Sequence, residues 1–90
     1  MDIQAGNLVY SIAGRDNGNV FLVLSVDLGF CYLADGKIRK VSNPKKKKLK
    51  HVKSAGKVAE TLKEKIALGV NPTNAEVRNC IRDLMEDVKM

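Results

Sequence analysis

Ninety residues with a 44% hydrophobic content suffice for one small domain and are too apolar for wholesale disorder. The longest strongly apolar run, residues 20–26, falls far short of the ~18 residues of a membrane span. The first residues lack a basic start followed by an apolar stretch, so no secretory signal is read and a cytoplasmic location is expected.

The net charge of +6 is unevenly spread. Residues 1–41 hold four basic and four acidic side chains, residues 42–57 hold seven lysines and no acid, and residues 58–90 are net −1. Positive charge clustered in this way is the electrostatic footprint of a surface that meets a polyanion.

In chain order, residues 8–13 carry the β-branched and aromatic side chains of a first strand. Residues 14–19 supply turn chemistry, with Asn17-Gly18 as a tight-hairpin signal. Residues 20–26 read as a buried second strand, Asp27 to Gly29 as a turn, and residues 30–34 as a third strand. Asp35-Gly36 signals another hairpin, followed by a half-exposed fourth strand at 37–42 in which Ile38 and Val41 are apolar and Lys37, Arg39 and Lys40 are charged. Asn43-Pro44 interrupts the pattern, and Leu49 and Val52 anchor a short fifth strand near 48–53. Four or five short strands in about 50 residues predict a small, strongly bent barrel, because a flat sheet would leave an apolar face and two rims uncovered.

The second half changes period. Val58, Leu62 and Ile66 predict an amphipathic helix over 55–68, stopped by Gly69. Thr73 and Glu76 form a capping box ahead of Val77, Ile81, Leu84 and Val88, which predicts a second helix over 74–88. The expected organisation is α+β: a barrel over 1–53 with a basic last strand, then a two-helix extension over 54–90 that forms an antiparallel hairpin. Whether that hairpin packs on the barrel or on a partner is open at this stage.

An enzyme is not expected. His51 is the sole histidine, so no Ser-His-acid triad is available, and no Walker loop or dinucleotide fingerprint occurs. Cys31 and Cys80 lie far apart, neither belongs to a C-x-x-C pair, and both read as reduced thiols; no metal and no cofactor is expected. Asp16 reads as a turn-capping carboxylate, Glu60 and Glu64 as solvated helix surface, and Tyr10, Phe21, Phe30 and Tyr32 mainly as core, with Tyr10 and Tyr32 as candidate stacking platforms.

The candidate site is basic. Lys37, Arg39 and Lys40 precede Lys45, Lys46, Lys47, Lys48, Lys50, His51 and Lys53 across a single turn, so one folded hairpin presents them together. No acid is interleaved over sixteen residues, so the run does not neutralise itself locally.

The pattern Gly6, Ser11, Ala13-Gly14-Arg15-Asp16, Gly18, Phe21 and Val23 resembles the KOW motif. The downstream stretch from Ala34-Asp35-Gly36-Lys37 and Arg39 to Asn43-Pro44 and the lysine run resembles the matching segment of bacterial KOW-domain RNA-binding proteins, which are similar to the KOW-class large-subunit ribosomal proteins of archaea and eukaryotes. The likeness covers roughly residues 5–53. It implies an SH3-like β-barrel, RNA binding and an association with translation or transcription, with Arg15 in the loop and Lys45, Lys46, Lys47, Lys48, Lys50 and His51 as contacts. The loop departs from the pattern at Asn17 and Asn19, where such proteins often carry lysine or arginine, and Asp16 offsets Arg15; weight therefore moves to residues 37–53.

The expected function is non-catalytic RNA binding by phosphate neutralisation, with ribosomal RNA as the partner and ribosomal proteins as possible neighbours. No membrane and no small-molecule substrate is expected. The alternative is a protein-interaction adaptor whose barrel or helical hairpin docks an acidic protein.

Overall fold

The computed structural model describes residues 2–86. It is α+β, as expected: strands β1 (Asn7–Ser11), β2 (Val20–Asp27), β3 (Phe30–Ala34), β4 (Lys45–Lys48) and β5 (Val52–Val58), then helices α1 (Glu60–Ala67) and α2 (Asn74–Glu86). A 3₁₀ turn, Leu49–His51, separates β4 from β5. All pairings are antiparallel, in the order β4-β3-β2-β1-β5. No described helix is long and apolar enough to cross a membrane.

The strand order places consecutive strands β4 and β5 at opposite rims of the sheet. A flat five-stranded sheet would separate them by about 19 Å, four spacings of about 4.8 Å. The short 3₁₀ turn rises only about 2 Å per residue, so the sheet has to curl. Two irregularities assist. The β2–β3 register shifts between Val23 and Ser25, and β5 inserts extra residues around Gly56 opposite β1. β4 and β5 share no ladder, so the sheet is curled and open, where the sequence predicted a barrel.

Period-two alternation gives the sheet two apolar faces. Val9, Phe21, Val23, Cys31, Leu33 and Val52 fill the concave side. Leu8 and Leu22 point the other way and meet Ala59, Leu62 and Val77. The helices therefore pack on the sheet through their apolar stripes, which answers the question the sequence left open. Cys31 and Cys80 belong to opposite layers, and both thiols are free. Burial raises the pKa of each, with Asp83 adding to the effect at Cys80.

Three local expectations are corrected. The β1–β2 connection is not a tight hairpin: Ser11 still pairs with Gly18 and Asn19, and the intervening residues form a longer loop. Residues 37–42 are not a strand, because Asp35 Oδ1 accepts the Lys37 and Arg39 amides at 2.8 and 2.9 Å and closes the chain into a turn. The Val41 amide goes to Asn74 Oδ1 of α2 at 2.8 Å instead of to a neighbouring strand. The first helix begins at Glu60, not at 55, because residues up to Val58 extend β5 and the Ala59 amide bonds the Gly6 carbonyl at 2.8 Å.

The tail otherwise follows its signals. Gly69 and Val70 amides return to the Ile66 and Lys65 carbonyls, closing α1 at the expected glycine. Thr73 and Glu76 exchange amide-to-side-chain bonds of 2.9 and 3.1 Å. Lys65 of α1 also reaches Glu76 at 2.8 Å, and this contact, more than the Thr73 amide, holds the Glu76 carboxyl below the usual range. The second helix is described to Glu86, and Val88 lies outside the described residues.

One glycine determines how closely α2 approaches. Gly36 is buried at φ 78°, and a Cβ there would meet the Asn74 carbonyl oxygen and come within 2.8 Å of Arg78 Cγ. Gly29 has φ 85° but open space around it. Gly36→Ala should therefore destabilise by about 3 kcal/mol or more, against about 1–2 kcal/mol of left-handed strain for Gly29→Ala. Thermal melting of the two variants checks this; equal losses would mean that α2 tolerates displacement.

Candidate nucleic-acid interface

The lysine tetrad is itself a strand. β4 pairs with β3 through Phe30 to Lys48, Cys31 to Lys47, Tyr32 to Lys46 and Leu33 to Lys45. Paired residues share a face, so Lys45 and Lys47 lie on the concave side with Cys31 and Leu33, while Lys46 and Lys48 lie on the convex side with Tyr32 and Phe30. Strand geometry thus divides four adjacent lysines into two pairs with different surroundings.

The concave pair is occupied. Lys47 is 9% exposed; its Nζ donates to the Ala13 carbonyl at 2.9 Å and to Asp16 Oδ1 at 3.0 Å. Ser11, fully buried, donates to the same carboxylate oxygen at 2.7 Å. Asp16 Oδ2 makes no hydrogen bond but faces the Lys45 ammonium at 3.2 Å as an ion pair. Burial by itself would raise the Asp16 pKa; the Ser11 hydroxyl and the Lys47 and Lys45 ammoniums outweigh it and hold it at about 2. Asp16 is therefore a partner of the lysine strand as well as a turn residue. The sequence reading missed this neutralising acid because it comes from the β1–β2 loop.

The convex pair is open. Lys46 and Lys48 are exposed, and Phe30 and Tyr32 are half-buried between core and solvent. Lys46 Nζ stands 4.4 Å from the Phe30 ring centroid, a cation–π contact. Asp27 pairs with Phe30 at the end of this face and is the acid nearest to it along the ladder.

The other predicted residues fall around these two groups. Lys50 is exposed and His51 half-buried in the 3₁₀ turn, and Lys53 is exposed on β5 opposite Tyr10. Arg15, Arg39 and Lys45 meet in a cleft of about 290 Å³ with Ile38 and Phe21. Lys37 lines the neighbouring cleft instead, and Lys40 is exposed on the 35–44 turn. Ile38, expected to face the core, is 84% exposed. The aromatic pair was foreshadowed by Phe-Cys-Tyr-Leu alternation at 30–33, which separates rings from core residues by period two. Among the described residues no three His, Cys, Asp or Glu side chains cluster as a metal would require. The arrangement offers point charges beside flat apolar rings, suited to binding a charged polymer.

The folded pKa of Asp16 lies below its ordinary value of 3.8, so its contribution to stability is complete above about pH 4 and is lost as pH falls towards 2. Asp16→Asn leaves Lys47 buried without its anion and should cost about 3 kcal/mol at pH 7, while flattening the acid limb of the stability profile. Denaturant unfolding across pH 2–7 reads both effects; a variant with wild-type stability would show that the ammonium reaches water easily. Comparison with known proteins yields no match, either to a family model or to a curated sequence.

Proposed function

We propose that this protein is a non-catalytic RNA-binding module of the KOW class, with an SH3-like sheet that presents the convex side of β3 and β4 to a nucleic-acid strand. The observation that carries the reading is the sorting of charge on β4. Asp16 takes Lys45 and Lys47, while Lys46 and Lys48 remain exposed beside Phe30 and Tyr32. Lysines next to rings provide both halves of single-strand recognition: ammoniums for phosphates and π faces for bases. Lys50 in the 3₁₀ turn and Lys53 on β5 follow in the chain and are exposed.

The strand order, with the two rim strands joined by a 3₁₀ turn, supports the SH3-like reading. The preference for RNA, and for a place near the translation machinery, rests on the likeness of residues 5–53 to KOW-class proteins. An adaptor role finds less support. The apolar stripes of the helices, which would have formed its docking surface, are engaged with Leu8 and Leu22.

If Lys46, Lys48, Lys50 and Lys53 each neutralise one phosphate, single-strand affinity should fall roughly fiftyfold between ~50 and ~200 mM salt. Lys46→Gln with Lys48→Gln should weaken binding and make the salt dependence shallower, with the melting temperature nearly unchanged. Fluorescence anisotropy with a labelled oligoribonucleotide measures the first two quantities. Unaltered affinity in that double variant would remove the convex face as the RNA site.

A further inference from the structure

A second basic cleft, of about 440 Å³, lies between the 35–40 turn and α2 and is lined by Lys37, Arg78 and Arg82 over Val20 and Ile81. It adjoins the cleft of Arg15, Arg39 and Lys45, since Asn19 and Asp35 line both. The two together set cations from the β1–β2 loop, the 35–40 turn, β4 and α2 along one continuous depression.

Lys45 and Arg82 are ion-paired, with Asp16 at 3.2 Å and Asp83 at 2.9 Å, while Lys37 and Arg78 have no carboxylate partner among the described residues. Arg78 Nη1 donates to the Gly36 carbonyl at 2.8 Å, and the Gly36 backbone lies against the arginine stem. A carbonyl fixes a guanidinium but does not neutralise it, and most of its five N–H donors remain for a ligand. Lys37 is exposed and has no ion pair among the described residues. Arg82 stands one helical turn beyond Arg78 and bonds Asp83 through Nε at 2.9 Å. The one carboxylate lining this cleft, Asp35, directs Oδ1 to the Lys37 and Arg39 amides and so serves the turn.

We propose that this depression is a second track for the backbone of single-stranded RNA, in which Lys37, Arg78 and Arg82 take phosphates and extend the interface onto α2. The proposal rests on the RNA reading above and adds Arg78 and Arg82 of α2, which the KOW likeness does not reach. A row of cations drawn from four separate elements suits a linear polyanion better than a compact one, and the exposed Ile38 with the Val20 and Ile81 floor gives sugars and bases apolar surface.

Three forms of the intact chain separate the possibilities: wild type, Lys37→Gln with Arg82→Gln, and Lys46→Gln with Lys48→Gln. The first pair of substitutions is solvent-exposed and avoids Arg78, whose contact with Gly36 is structural. Binding of a labelled oligouridylate of about 12 nucleotides is measured by anisotropy over a salt series. The Lys37/Arg82 variant is expected to bind roughly tenfold more weakly, with a salt slope shallower by about 1.4, two contacts of about 0.7 each. Wild-type affinity and slope in that variant, with weakening in the Lys46/Lys48 variant, would overturn the α2 track and leave the convex-face reading intact. Absence of binding by the wild type would overturn both.

Discussion

Asp16 comes from a loop between two strands that carry no basic residue, and it meets its partners only when β4 lies down beside β3. Ser11 fixes one carboxylate oxygen from inside the sheet, and Lys47 threads its ammonium to the same atom. The hydrogen bonds of Lys47 span 31 and 34 positions of the chain, so the contact ties the β1–β2 loop to the rim strand β4. A buried ammonium is tolerable only with an anion in place, and an acid this enclosed only with cations around it. The register of β4 is thereby fixed as well. A slip of one residue would place Lys46 and Lys48 against the carboxylate and turn Lys45 and Lys47 out.

That register explains how much of the molecule could be read from sequence. β1, β2 and β3 were legible because β-branched and aromatic residues alternate between turn residues. The α2 cap was legible because Thr73 and Glu76 have the spacing that lets each satisfy the other's amide. β4 was not. Lysine carries little strand preference and no apolar period, so the sequence placed a strand only near 48–53, around Leu49 and Val52, whereas Lys45–Lys48 form β4 by pairing with Phe30 to Leu33 and residues 49–51 form the 3₁₀ turn. The segment before it failed in the opposite direction. Lys37 to Ser42 has a strand-like pattern, but the Asp35 side chain captures two of its amides and Asn74 a third.

The site shows the same division. Clustering of positive charge on residues 37–53 is a property of composition and is visible at once. Which of those charges face solvent depends on facing residues, and no local pattern contains that. Arg78 and Arg82 were invisible for a related reason: on an isolated helix they are ordinary surface arginines, and they gain neighbours of like charge only because Gly36 lets α2 settle against the 35–40 turn.

An open sheet also has a hazard that a closed one lacks. The outer side of β4 leaves amides and carbonyls without a strand partner, which invites a second copy of the chain to add itself in register. Four consecutive lysines discourage that. An incoming copy of the same strand would bring its own solvent-facing ammoniums alongside Lys46 and Lys48, and the repulsion opposes self-assembly. The composition that suits this rim to an anionic polymer thus also guards it against edge-to-edge pairing.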